Sequence, residues 1–177
     1  PCGAPIMDFV SIAVKDAAVM AALSDLARRT NDLSIPMQDI GVEFSELIRQ
    51  TFSDSQSPWG VKWDKLSAVT QAKNKGRRSG GEPLRDTGRL MASIAPKAAD
   101  GGQAVTIGAT NVKYANTHQF GVKQGTYGKT KRNGPIPWGN VPSRPFMPIL
   151  GNAVILPDAW SKAAQEIIAD YIVEAAL

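Results

Sequence analysis

One cysteine and one histidine occur among the 177 residues, Cys2 and His118. A single thiol excludes an internal disulfide and any CxxC metal pair, which suits a chain made in a reducing cytoplasm. A single imidazole, with no cysteine or second histidine near it, lacks the partners of a zinc site, and a hydrogen-bonded structural histidine is the simpler reading of His118. No run of ~18 apolar residues is present, so no membrane helix is expected. The long uncharged run over residues 145–157 is too short and is broken by prolines. No secretory signal is visible, because no basic residue precedes Lys15 and no long apolar run follows it. With Pro1 first, an initiator methionine is expected to be removed or to lie outside this sequence.

Acids are missing from one long stretch: none occurs between Asp100 and Asp158. Over residues 62–144 fifteen Lys and Arg stand against four acids, a balance of +11, while the flanks carry −4 and −3 and the whole chain +4. A one-signed central field of this kind can attract DNA or an acidic protein rim, although a solvated basic surface would look the same.

What is present describes an ordinary globular protein, 43% hydrophobic and 20% charged. Its length is that of one domain, able to bury roughly two-thirds of its unfolded surface. The expectation is a single domain over residues 1–177. Its fold class is α+β, with a small antiparallel sheet, two N-terminal helices, a C-terminal helix and a long basic loop. Residues 7–14 alternate as a strand does. Asp16 is placed to cap a first helix ending near Asn31, with Val19, Leu23, Leu26 and Thr30 at helical spacing beside Met20 and Ala27. Pro36 sits in the first turn of a second helix whose Met37, Ile40, Phe44, Leu47 and Ile48 form one apolar stripe, with Glu43, Glu46 and Arg49 on the other face. That helix is expected to stop near Ser53. Trp59 and Trp63 then anchor a loop against the body, residues 67–75 form a short helix, and residues 76–81 a flexible basic linker.

Asp86 or Thr87 can cap a short helical turn running through Leu90 to Ile94, with a local ion pair between Asp86 and Arg89. Asp100-Gly101 supplies the positive φ of a tight hairpin, and Val105 and Ile107 alternate with Thr106 on its second strand. Residues 122–141 are polar, rich in Gly, Lys and Pro, without periodicity, and too long for a mere connection. Prolines at 142 and 145 hold the return of the chain extended. Asp158 can cap a C-terminal helix with Trp160, Ala164, Ile167 and Tyr171 on one face and Lys162, Glu166, Asp170 and Glu174 off it.

Catalytic motifs are missing. Gly128-Lys129-Thr130 has the ending of a phosphate-binding P-loop, but the glycine that would open the motif is Lys123, and Pro135 and Pro137 follow where a helix is required. No serine lies in a G-x-S-x-G turn, and Cys2 near a chain end is a poor nucleophile candidate. No enzyme and no cofactor is expected. Lys123, Lys129, Lys131 and Arg132 share the long loop with Tyr127 and Trp138, a mixture able to track a phosphate backbone and stack on bases. No helix-turn-helix, zinc finger or RNP strand accompanies them, so only non-specific DNA contact is read from this loop.

Five pieces together resemble the phage virion morphogenesis family, the tail-completion proteins of Mu-like and related tailed phages and prophages. They are Leu84-Arg85-Asp86-Thr87-Gly88-Arg89-Leu90 with Ser93-Ile94, Ile107-Gly108-Ala109-Thr110-Asn111, Tyr114-Ala115, His118-Gln119-Phe120-Gly121, and Pro142-Ser143-Arg144-Pro145-Phe146. The family pattern has threonine where Ala109 stands, and the loop over 122–141 is particular to this chain. The resemblance implies a structural protein of the virion, assembled in the host cytoplasm and placed at the neck or tail end. There it would complete the tail and join it to the head as a homo-oligomeric ring, sixfold to match the tail tube. Its implied partners are further copies of itself, the tail tube, the head-to-tail connector and genomic DNA in the channel, with no membrane. Asp86, Thr87, Gly88, Arg89, Leu90, Tyr114, His118, Gln119, Phe120, Gly121, Arg144, Pro145 and Phe146 are the assembly or structural residues it points to; Lys123, Lys129, Lys131 and Arg132 are the candidates for partner or DNA contact. The second and C-terminal helices are candidates for apolar faces between subunits.

Overall fold

The computed structural model describes residues 17–73 and 82–174. The strand expected at 7–14, the cap at Asp16 and the linker at 76–81 lie outside the described residues. Among the described residues six α-helices and two antiparallel hairpins make an α+β fold: α1 (Ala17–Asn31), α2 (Ser34–Asp54), α3 (Ala68–Lys73), α4 (Arg89–Ala92), β1 (Ile94–Ala99), β2 (Ala104–Ala109), α5 (Ala115–Phe120), β3 (Ile149–Leu150), β4 (Ala153–Val154) and α6 (Asp158–Val173).

Helix α2 is the spine. Its apolar stripe faces inward, with Ile40, Phe44, Ile48 and Phe52 buried and Met37 and Leu47 packed against the same core. Pro36 lies in the first turn and is itself buried. The helix ends at Ser55, which takes a left-handed conformation at φ 51° and returns its amide to the carbonyls of Phe52 and Thr51, the usual way of satisfying a helix C-terminus. Two aromatic groups extend the core. Phe44 meets Trp160 of α6 at 5.5 Å between ring centroids, and Phe52 meets Phe146 at 5.2 Å and Trp63 edge-on at 5.7 Å. Trp160 is the buried residue of α6, with Ala164, Ile167 and Ile168 packed behind it.

The β1–β2 hairpin lies across α2 with Ile94 opposite Ala109 at its base and Ala99 opposite Ala104 at its turn. Gly41 allows the close approach. A Cβ there would stand 2.7 Å from Val105 Cγ2 and 2.9 Å from Pro96 Cβ, inside any tolerable contact. The turn uses positive φ at Asp100, Gly101 and Gly102, as the Asp-Gly pair implies.

Several local expectations change. The α6 cap position belongs to Pro157, with Asp158 the first helical residue; its carboxylate makes no cap bond, and it sits at the end of the helix where negative charge is favoured. At α4 the cap position belongs to Gly88 in a left-handed conformation, while Thr87 Oγ1 accepts a bond from the Arg89 amide at 3.4 Å. The apolar stripe of α1 is only partly used, since Met20 and Leu23 are 56% and 55% exposed. Periodicity marks an apolar face without saying what covers it. The 145–157 run also contains the short β3–β4 hairpin, unforeseen because two-residue strands carry no alternation.

Residues 122–141 are the long loop expected, and they fold back on themselves as a hairpin-like arm. Val122 bridges Val141 at its root and Lys129 bridges Pro135 near its tip. Between them the Gly125 amide donates to Pro137 O, Tyr127 to Ile136 O and Ile136 to Gly128 O, and beyond the second bridge Thr130 donates to Gly134 O, over 2.7 to 3.1 Å. The ladder is built from backbone groups and glycine turns, so it leaves no hydrophobic alternation in the sequence.

Candidate functional site

The motif residues converge on two adjoining places. The first is a buried junction between three segments distant in the chain. Gln119, 4% exposed at the end of α5, accepts bonds on Oε1 from the amides of Phe146 (3.0 Å) and Met147 (3.1 Å). Its Nε2 donates to the carbonyls of Met147 (3.0 Å) and Ile149 (3.1 Å). A carboxamide has two acceptor sites and two N–H donors, and all four are occupied. Next to it the Arg144 amide donates to His118 O at 2.7 Å, and Ser143 Oγ donates to Gln119 O at 2.8 Å.

Arg144, 5% exposed, turns its guanidinium the other way. Nε and one terminal nitrogen both donate to Asp64 O, at 3.1 and 3.0 Å, and that nitrogen also reaches Lys65 O at 3.4 Å. Burial pushes its pKa down from the ordinary arginine value, partly offset by the charge of Asp64. Carbonyl oxygens around a planar fork of donors are what keep this cation tolerable inside. The Trp63 indole closes the same contact by donating to Pro145 O at 2.9 Å. Arg144, Pro145 and Phe146 therefore tie the segment after α2 to the segment after the arm, with Phe146 sealed beneath.

The second place is a cleft of about 550 Å³ lined by Leu84, Asp86, Thr87, Arg89, Leu90, Tyr114 and His118. It joins the Asp86-to-Leu90 motif to α5, which the sequence separates by more than twenty residues. Leu90 belongs to the core, whereas Asp86, Thr87 and Arg89 are exposed at the mouth. The Arg89 guanidinium reaches Asn111 O at 3.4 Å, pinning the turn after β2 to α4. The Tyr114 and His118 rings stand edge to face at 5.7 Å. His118 Nδ1 is enclosed without a hydrogen-bond partner. Burial, with the nearby Arg144 charge second, holds the imidazole below its ordinary pKa and so neutral near pH 7.

Gly121 marks where the motif ends and the arm begins. Its backbone, at φ 70° and ψ 169°, lies in a region essentially reserved for glycine, and a Cβ would meet Ser143 N at 2.7 Å and Val141 O at 2.9 Å. Phe120, 48% exposed, turns outward instead of joining the junction. Lys123, Lys129, Lys131 and Arg132 are exposed along the arm with Tyr127, Ile136 and Trp138, and Trp138 is 75% exposed. The four cations form no ion pair among the described residues. The structure does not bring the arm's cations together with the cleft; it separates a buried scaffold from an exposed appendage.

Residues 14–175 match the phage virion morphogenesis family. The chain belongs to that family. The match runs through both hairpins, the junction, the cleft and the arm, and the residues that carried the resemblance, Asp86 to Leu90, His118 to Gly121 and Ser143 to Phe146, lie inside it. No curated protein and no solved structure matches the chain. The protein is thus a phage virion morphogenesis component. Among the described residues no helix is long and apolar enough to cross a membrane.

The motifs exposed their own importance but not their roles. Trp63 was legible as an anchor, whereas its partner, a carbonyl 82 positions away, was not. Ser143 lies in the Pro142-to-Phe146 motif, but its bond to Gln119 O was not legible, and Thr117, which bonds the arm's Tyr127 hydroxyl to α5, left no signal.

Proposed function

We propose that this family member is a structural protein of the phage neck or tail end, completing the tail and joining it to the head as a homo-oligomeric ring, sixfold like the tail tube it would cap. The observation that carries the reading is the division of labour within the matched region. Gln119 and Arg144 commit their polar groups to backbone carbonyls and amides, so the motif builds a rigid frame, while exposed aromatic and basic groups are held out on an ordered arm. A frame that presents contact surface is what a ring subunit needs, and the proposed role involves neither catalysis nor a cofactor. Tail tube and connector are the proposed neighbours, and the neck of the virion the proposed location.

The test is to remove the gene from its phage and image the particles. Heads and tails that accumulate separately support the role, and particles with joined, normally terminated tails overturn it. Labelling the chain in intact virions locates it at the neck or elsewhere.

The acid-free arm favours a second reading, non-specific contact with DNA. Four exposed cations beside Tyr127 and Trp138 would track phosphates and stack on bases. Binding of this kind weakens with salt along a log–log slope of about −0.9 per phosphate contacted. A flat response, or none, removes it.

A further inference from the structure

The 122–141 arm carries exposed Tyr127, Ile136 and Trp138, framed by Lys129, Lys131 and Arg132 and by no acid. A complementary feature lies elsewhere on the same chain. Between α2 and the turn end of β1–β2 runs a groove of about 310 Å³, whose apolar walls include Met37, Val42, Pro96, Ala98 and Val105. Val42 is 52% exposed there. Asp39 and Glu43 are exposed on the same helix beyond the Val42 edge of the groove, outside its lining, and form no ion pair among the described residues. One feature is aromatic and basic, the other concave and apolar, with two acids beyond one edge.

They lie at opposite ends of the β1–β2 ladder. The arm leaves the body beside α5, near the ladder's base, and is held there by the 2.7 Å bond between the Thr117 and Tyr127 hydroxyls. The groove opens at the ladder's turn, roughly 17 Å away at ~3.4 Å per residue. Two different complementary patches at separate places on one surface make a head-to-tail contact, which propagates from copy to copy and closes into a ring when the rotation allows. We infer that the arm of one subunit docks in the α2/β1–β2 groove of the next copy, with Trp138 as the apolar anchor and Lys129 and Lys131 facing Asp39 and Glu43. This rests on the proposed ring and names the contact that makes it. A nucleic acid is the poorer occupant of that contact, because the acids beyond the groove's Val42 edge repel phosphate while they attract the arm.

Mixing complementary variants of the full chain tests the contact. Trp138→Ser damages the arm and leaves the groove intact; Val42→Lys damages the groove and leaves the arm intact. Both positions are exposed, and melting curves matching the wild type confirm that the variants fold. By sedimentation, wild type should form a closed oligomer, and each variant alone should associate at least about tenfold more weakly, as loss of a central aromatic anchor does. Mixed in equal amounts they should give a one-to-one dimer, since a single intact arm–groove pair remains and no ring can close. Charge reversal adds an independent arm: Lys129→Glu with Lys131→Glu should weaken assembly, and adding Asp39→Lys with Glu43→Lys should restore it. Oligomers unchanged in both single variants overturn this contact while leaving the ring intact. So does loss of random-sequence duplex binding by the arm variant with assembly unaltered. A wild-type chain that stays monomeric overturns the ring itself.

Discussion

The junction around Gln119 and the arm that begins at Val122 are near neighbours in the chain, yet they use their side chains in opposite ways. At the junction, side chains hold backbone: Gln119 serves four main-chain groups, Arg144 two carbonyls and Trp63 one. In the arm, backbone pairs with backbone and short polar side chains add bonds within it, Gln124 to Trp138 O and Thr130 from the Gly134 amide among them. The basic side chains and Trp138 are left outside. A buried carboxamide or guanidinium that has replaced all its water partners with fixed ones cannot be altered cheaply. An exposed indole on a self-bonded hairpin can. A committed frame and a surface open to change can therefore sit side by side, because they draw on different parts of the residue.

Breaking the junction has the largest expected effect. Gln119→Leu keeps the volume but strips partners from two amides and two carbonyls in the 146–149 segment. An unsatisfied buried group costs about 1–3 kcal/mol, so a loss of at least ~3 kcal/mol in denaturant unfolding is expected. Gln119→Glu should be comparably damaging, since a carboxylate cannot donate to Met147 O and Ile149 O. A loss below ~1 kcal/mol in either variant would mean that water replaces the amide and that the junction is not the frame.

Next comes the boundary between the two regions. Gly121→Ala places a Cβ against backbone atoms of residues 141 and 143 that no rotamer change can relieve. Strain in this region of φ and ψ is worth about 1–3 kcal/mol. The expected outcome is a destabilised body together with faster amide exchange at Val122 and Val141, whose mutual bonds at 2.9 and 2.8 Å form the arm's root.

How far the sequence foretold this contrast depends on what each region is made of. The stripe of α2 and the Asp100-Gly101 turn were readable because side-chain identity decides them: apolar residues at helical spacing must be buried, and positive φ selects its residues. The role of Gln119 was not readable, because its four partners are backbone groups, and a carbonyl carries no residue identity. The hairpin pairing of the arm was not readable for the same reason, much of its order residing in amides and carbonyls between glycines and prolines. Met20 and Leu23 show the converse, a clear helical stripe that the described residues leave largely uncovered.

The imidazole of His118 lies between the two regions and tests them with a smaller signal. Its folded pKa is held below the ordinary 6.5, so below about that pH the unfolded chain takes up a proton that the folded chain refuses. The stability His118 protects is fully present above the unfolded value and declines as pH falls toward the folded one. Melting temperature should drop on going from pH 7 to pH 5, and His118→Gln should remove part of that drop. An unchanged profile would show that the imidazole is more solvated than its enclosure by Tyr114 and the cleft implies.

Smallest of all should be the thermodynamic effect of cutting the arm's most exposed side chain. The Trp138 indole would lie 3.1 Å from a Cβ at Gly134 and is otherwise open to solvent, so Trp138→Ala removes little burial. A change within about 0.5 kcal/mol is expected, as for surface substitutions generally. Such a null result sharpens the contrast. A large exposed aromatic ring whose loss leaves the fold untouched is not kept there by folding, so its effect should appear in assembly and not in the melting curve. If Trp138→Ala instead destabilised the isolated chain as much as Gly121→Ala, the arm would have to be counted as part of the frame.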